Sequence, residues 1–218
     1  MKKLIVAFIV FGMLLNGWSL SVWAQKAAIY SYTVEIELTS DQGDMAVKEY
    51  LKNYGTKGKK QGIEVIYKVV TPFLAEQLNK SGFNMLPVDT LNTIKENDYG
   101  KPSATLAKVV KSGIADEYIK VYLKDITMPN VEGLTQQDRN SQQRKSVKMR
   151  CRIQVYNSKK ELTKEGEGVF QSGEKIENPS ILGVDLRTHE GSDYLQELKI
   201  YETCTKMAIL RTLEQMGK

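Results

Sequence analysis

The sequence predicts an α+β fold: one domain in which a mixed, mostly antiparallel sheet of about five strands carries helices on one face. Three observations point there. In residues 147–155, Val147, Met149, Cys151, Ile153 and Val155 alternate with Lys148, Arg150, Arg152 and Gln154, a strand with one apolar and one basic side. Residues 28–38 and 117–126 repeat the two-residue alternation. Between and after these strands, residues 63–81 and 194–215 place apolar side chains at helical spacing, in bands that would cover the apolar face.

Residues 1–24 stand apart from the domain. Met1-Lys2-Lys3 is a basic start, residues 4–15 are an apolar run, and Val22-Trp23-Ala24 sets small residues before Gln25. This is the three-part pattern of a secretory signal peptide, with cleavage expected after Ala24. The apolar run is shorter than the roughly 20 residues that span a bilayer, and Asn16, Gly17 and Ser19 interrupt it. No cysteine lies near the cleavage point to accept a lipid. Cleavage would leave residues 25–218, 194 in all, as one domain and would lower the formal charge from +5 to +3 by removing Lys2 and Lys3. That balance is weaker than a dedicated nucleic-acid binder needs. No second stretch is apolar and long enough to cross a membrane.

In the first strand, Tyr30, Tyr32, Val34, Ile36 and Leu38 alternate with Ser31, Thr33, Glu35 and Glu37, which predicts one shared apolar face. Residues 45–54 predict a short helix capped by the aspartates before it, and 55–62, rich in glycine and lysine, predict a loop. That loop lacks the glycine–lysine order of a phosphate loop. The helix at 63–81 buries Ile66, Val69, Val70, Phe73, Leu74 and Leu78; Pro72 predicts a kink or a new helix start, and Gly82 a C-terminal cap. A short strand at 83–88, a brief helix at 89–94, a turn at 98–102 and a helix from 103 to 113 follow.

The strand at 117–126 sets Tyr118, Lys120, Tyr122 and Lys124 on one side and Ile119, Val121 and Leu123 on the other. The first side would face solvent. Polar residues 127–145 link it to the strand at 147–155, Asn157-Ser158-Lys159-Lys160 supplies turn chemistry, and 161–170 returns antiparallel. Residues 172–191 read as irregular before the closing helix.

Candidate sites follow from these faces. Lys148, Arg150 and Arg152, with Tyr118 and Tyr122 on the neighbouring strand, form the candidate binding surface. Glu161, Glu165 and Glu167 on the returning strand would neutralise much of the basic stripe through cross-strand pairs. Cys151 and Cys204 fall on the central strand and the closing helix; packing of one on the other would allow a disulfide, and two buried free thiols fit equally well. Neither zinc spacing nor any other metal pattern is present, and no cofactor is implied. The lone histidine, His189, lies in Asp185-Leu186-Arg187-Thr188-His189-Glu190-Gly191-Ser192, where a hydrolytic triad can be imagined without the nucleophile elbow that would support it.

Short segments also resemble known families. These are Phe73-Leu74-Ala75-Glu76-Gln77-Leu78 followed by Gly82-Phe83-Asn84-Met85-Leu86-Pro87-Val88; Gly113-Ile114-Ala115-Asp116-Glu117-Tyr118-Ile119; and residues 147–155 followed by Lys159-Lys160-Glu161-Leu162. Together they resemble bacterial envelope proteins: the periplasmic domain of the curli secretion channel, the lipoprotein activators of penicillin-binding proteins, and the amino-terminal domain of the Tol translocation protein. The resemblance covers residues 63–170 and the last helix. The lipidated cysteine, the channel-forming segment and the propeller domain are missing, and no family functional residue matches a position here. The resemblance implies a non-catalytic, protein-binding domain of the cell envelope, periplasmic or secreted. A soluble envelope hydrolase built on His189 and a binder of anionic surfaces built on the basic stripe are the alternatives.

Overall fold

The structure, a computed structural model, describes residues 25–36, 61–127, 147–176 and 193–217. Five strands form one sheet: β1 (Lys26–Glu35), β2 (Asn84–Met85), β3 (Glu117–Asp125), β4 (Lys148–Asn157) and β5 (Leu162–Gln171), in the order β2-β1-β3-β4-β5. The helices are α1 (Gln61–Lys80), α2 (Leu106–Ser112) and α3 (Asp193–Met216). Pairing is parallel from β2 through β1 to β3 and antiparallel from β3 through β4 to β5, the mixed α+β sheet that the alternation predicts. The expected leader at 1–24, the helix at 45–54, residues 55–60 of the loop at 55–62, residues 128–145 of the linker at 127–145 and His189 lie outside the described residues, while Gln61 and Gly62 belong to α1 and not to a loop.

The β4–β5 hairpin forms where the turn residues place it. Asn157 Oδ1 accepts hydrogen bonds from the Lys159 and Glu161 amides at 2.9 and 3.0 Å, and Lys160 takes the left-handed conformation at φ 69°. Parallel strands β1 and β3 need a crossover, which α1 and the segment after it supply.

The inner face carries the main core. Ile119, Val121 and Leu123 of β3 and Met149, Cys151, Ile153 and Val155 of β4 pack against Ile66, Val70, Leu74 and Leu78 of α1 and Leu198, Tyr201, Cys204 and Ala208 of α3. Helix α1 runs unbroken through Pro72. Proline removes the bond to the carbonyl four residues back, and both Pro72 and Lys68 sit on the exposed side, away from the packed core. Gly82, at φ 92°, closes the helix as its composition predicts.

Three expectations need correction. The register of β1 on β3 shifts between Ile29 and Ser31, a bulge that reverses the alternation. Ala27, Ile29, Tyr32 and Val34 therefore join the main core, while Ala28 and Tyr30 join a second cluster on the outer face with Leu91, Ala104, Val109, Ala115 and Tyr118. Helix α2 contributes Val109 to that cluster, so helices cover both faces rather than one. Residues 89–94 form successive tight turns (Thr90 N–H to Pro87 O at 3.0 Å, Asn92 to Asp89 at 2.9 Å, Ile94 to Leu91 at 3.1 Å) and not a helix.

Side chains and loops close much of both sheet margins. Along β1, the Leu86 amide donates to Ala27 O, the Ala104 amide to Tyr30 O, and Tyr32 N–H to Pro102 O, at 2.8–3.0 Å. Val34 N–H is taken by the Tyr67 hydroxyl at 2.9 Å, and that hydroxyl and Asn97 Nδ2 both donate to Tyr32 O at 3.3 Å. Along β5, Glu167 N–H donates to Gln215 Oε1 and Arg211 donates to Val169 O, each at 2.7 Å. An edge strand covered this way offers little backbone for another chain to pair with.

Candidate functional site on the outer face of the sheet

The basic stripe lies where alternation puts it, on the outer face of β4, but two of its three cations are already engaged. Arg152 stands opposite Glu167 in the register and reaches diagonally to Glu165, donating from Nε to Oε1 at 2.6 Å. Arg150 reaches one step further along to Glu167 at 3.2 Å. Gln154 Nε2 also donates to Glu165, at 2.9 Å. The expected cross-strand neutralisation therefore comes from Glu165 and Glu167. Glu161 does not take part, because its carboxylate accepts the Asn157 amide at 2.7 Å within the turn. These pairs are close to half exposed, where each is worth roughly 0.2–1 kcal/mol and serves mainly to cancel charge. Lys148, at the end of the stripe, is half-buried.

The two tyrosines part company. Tyr122 stays on the outer face and donates to Glu35 Oε2 at 2.5 Å, while Lys124 meets the same oxygen at 3.7 Å. Desolvation and the Glu35 carboxylate push its hydroxyl up to about 12. Tyr118 is fully buried in the outer cluster beneath α2, and its hydroxyl finds no partner among the described residues. The exposed tyrosine–lysine face expected of β3 thus holds only from Lys120 onward, since α2 covers its first turn.

Cys151 and Cys204 are both buried free thiols. Helix α3 does pack on β4, yet it sets Cys204 Sγ against the Val147 carbonyl at 3.8 Å and Thr212, two turns later, against Cys151 O at 3.1 Å. The cysteines sit at different levels of one interface. Burial pushes both thiols up to about 12, which makes them poor nucleophiles.

No protein-family model matches the chain, and no curated protein does. Among solved structures it is similar to the C-terminal domain of LpoB from Salmonella enterica. That likeness spans 74% of this chain and 92% of the other, at 9% identity and a TM-score of 0.34. So low a score carries no argument on function.

The sequence pattern overlooks the lower end of the outer face, where β3 begins, β4 ends and β5 begins. Tyr118, Tyr156 and Leu162 lie side by side there across the three strands. Tyr30 meets the Tyr156 ring edge-on at 6.3 Å. Leu162 is 48% exposed and Ile114, in the loop entering β3, is 37% exposed; they are the large hydrophobic side chains left open to solvent among the described residues. The register shift between Val155 and Tyr156 is what turns Leu162 to this face, so strict alternation could not have placed it. Lys120 follows Tyr118 on the outer side of β3, Lys159 and Lys160 lie in the β4–β5 turn, and Lys111 ends the helix that leads to Ile114. None of the four is ion-paired with a described residue.

Proposed function

We propose that this protein is an exported, non-catalytic interaction module of the cell envelope that binds a protein partner through the outer face of its sheet. The observation that carries the reading is the way the fold disposes of its other surfaces. The inner face is filled by α1 and α3, much of both sheet margins is closed by side chains and loops, and side chains of β3, β4 and β5 remain displayed on a rigid outer face. The thiols are buried and pushed up, a state that suits packing and not nucleophilic chemistry. The leader-like pattern of residues 1–24 supports export.

The test has two parts. Fractionation of cells followed by mass measurement should find the chain outside the cytoplasm and beginning at Gln25. A photo-crosslinking amino acid placed in turn around the surface should yield protein adducts clustered on one face. A chain that stays in the cytoplasm with residues 1–24 attached would refute export. Adducts scattered without preference, or none anywhere, would refute the interaction module.

A further inference from the structure

The described residues hold two kinds of positive charge on the outer face. At its centre the arginines are paired, Arg150 to Glu167 and Arg152 to Glu165. At its lower end Lys111, Lys120, Lys159 and Lys160 have no carboxylate partner among the described residues. Of the carboxylates near them in the chain, Asp116 accepts the Lys26 amide at 2.9 Å, Glu161 accepts the Asn157 side chain at 2.7 Å, and Glu117 alternates with Tyr118 onto the other face of β3. Lysine charge without a carboxylate partner among the described residues therefore borders the open apolar surface.

We infer that this lower end, with Tyr156, Leu162 and Ile114 as an apolar ledge and the four lysines as its rim, is the docking surface, and that its occupant is a protein segment presenting an apolar side chain flanked by carboxylates. The inference rests on the reading that the module binds a protein. Interfaces that hold specifically combine a desolvated apolar or aromatic centre with a polar, charge-matched rim. Here Tyr156 is held in place by Tyr30 and by the outer cluster, so the ledge needs little ordering on binding. Rim lysines that start unpaired lose no internal ion pair when a carboxylate arrives. The arginine stripe would have to give up Glu165 and Glu167 first. The segment Lys159-Lys160-Glu161-Leu162 thus matters as the border of this ledge, beyond its role in the turn.

The experiment uses the full-length chain in cells. A photo-crosslinking amino acid is placed at Leu162, at Ile114 and, as controls on α1, at Glu76 and Lys80, whose side chains are 58% and 62% exposed. The ledge positions should give one discrete adduct with another protein and the controls should not. Reversing the rim with Lys111→Glu, Lys120→Glu and Lys159→Glu should weaken that adduct at least tenfold, and Lys80→Glu should leave it unchanged. Unfolding midpoints of the purified variants confirm that they fold. A ledge adduct indifferent to rim reversal would overturn the acidic partner. An adduct of twice the chain's own mass would overturn it in favour of a second copy. Sedimentation with phosphatidylglycerol vesicles, lost on rim reversal and without protein adducts, would overturn it in favour of a membrane surface. Adducts from the α1 positions alone would overturn this face while leaving the interaction module standing, and no adduct from any position would remove both.

Discussion

Replacing Gly168 by alanine should be among the most destabilising single-methyl changes in this protein. Gly168 lies on the inner face of β5 under α3, opposite Cys151. A Cβ there would collide with the Ala208 carbonyl and would stand 2.5 Å from the Thr212 amide and 2.7 Å from the Thr212 hydroxyl. The first two are helix backbone, so no side-chain rotation relieves them. Restoring ordinary contact at 3.4 Å means lifting the helix by about 0.9 Å, which loosens Ala208 and Cys204 from the core. It also draws the Thr212 hydroxyl, whose one proton is shared between Ala208 O at 2.7 Å and Cys151 O at 3.1 Å, away from Cys151. Overpacking costs roughly 1–3 kcal/mol, and weakening this shared hydrogen bond adds at most about 1 kcal/mol. The sum, about 3 kcal/mol, corresponds to a fall in Tm of roughly 6–12 °C for a domain of this size. Thermal and urea unfolding of Gly168→Ala measure it, with Gly173→Ala as the control. Gly173 has φ 92° and nothing within 4 Å of its added Cβ, so that change carries backbone strain only, about 1 kcal/mol. Gly168→Ala costing less than Gly173→Ala, or rescue of Gly168→Ala by trimming Thr212 to serine, would refute the claim that helix backbone rests on the strand.

Four further outcomes follow from the contacts. Tyr67→Phe strands the buried Val34 amide, which now donates to the Tyr67 hydroxyl, and should cost about 1–3 kcal/mol in urea unfolding; a cost under about 0.5 kcal/mol would mean that water serves the amide as well. Glu165→Gln should cost no more than about 1 kcal/mol, because its pair with Arg152 is exposed, and a larger loss would show the pair to be structural. Thiol titration with a bulky reagent should find no reactive cysteine in the native protein and two in denaturant; none in denaturant would reveal a disulfide. Glu174 is held below its ordinary 4.5 chiefly by its hydrogen bond with Arg211. A carboxyl depressed in the folded state adds stability that is fully present above its unfolded value and fades as pH falls through the folded one. Arg211→Gln should therefore remove a small share of stability above pH 4.5 and change little at the acid end. An equal loss at both ends would trace it to packing over Phe170, where the guanidinium lies 4.8 Å from the ring.

How much of this was legible in the sequence depends on how far each element is decided locally. The β4–β5 hairpin is local: alternation, an asparagine-led turn and a return strand specify it without help from the rest of the chain. The unbroken α1 is not, since Pro72 announces a break and only its position on the exposed side makes the lost bond harmless. Residues 89–94 carry helix-like signals yet turn tightly, because they must bring 95–104 back to the margin of β1. Two bulges set faces that strict alternation does not give. One between Ile29 and Ser31 moves Tyr30 outward, and one between Val155 and Tyr156 keeps Leu162 outward. A single inserted residue leaves the composition of a strand unchanged while reversing everything beyond it. Gly166 and Gly168, alternating with Glu165 and Glu167, mark one strand face without side chains, the place where another backbone comes close.

The same logic explains why the candidate site moved along the face that the sequence selected. Counting cations on alternate residues finds Lys148, Arg150 and Arg152, because a strand advertises its charges in order. It cannot show that the partner strand advertises the complement, or that long arginine side chains lean one pair along the ladder to meet it. Charge that is cancelled inside the fold is a poor handle for a partner, whereas the lysines at Lys111, Lys120, Lys159 and Lys160 come from a helix, a strand and a turn that meet only in three dimensions. Their lack of carboxylate partners among the described residues is a property of the assembled sheet end, as is the exposure of Leu162 beside Tyr156. A surface assembled from elements so far apart in sequence leaves no motif, and its charge can be read only once the register is known.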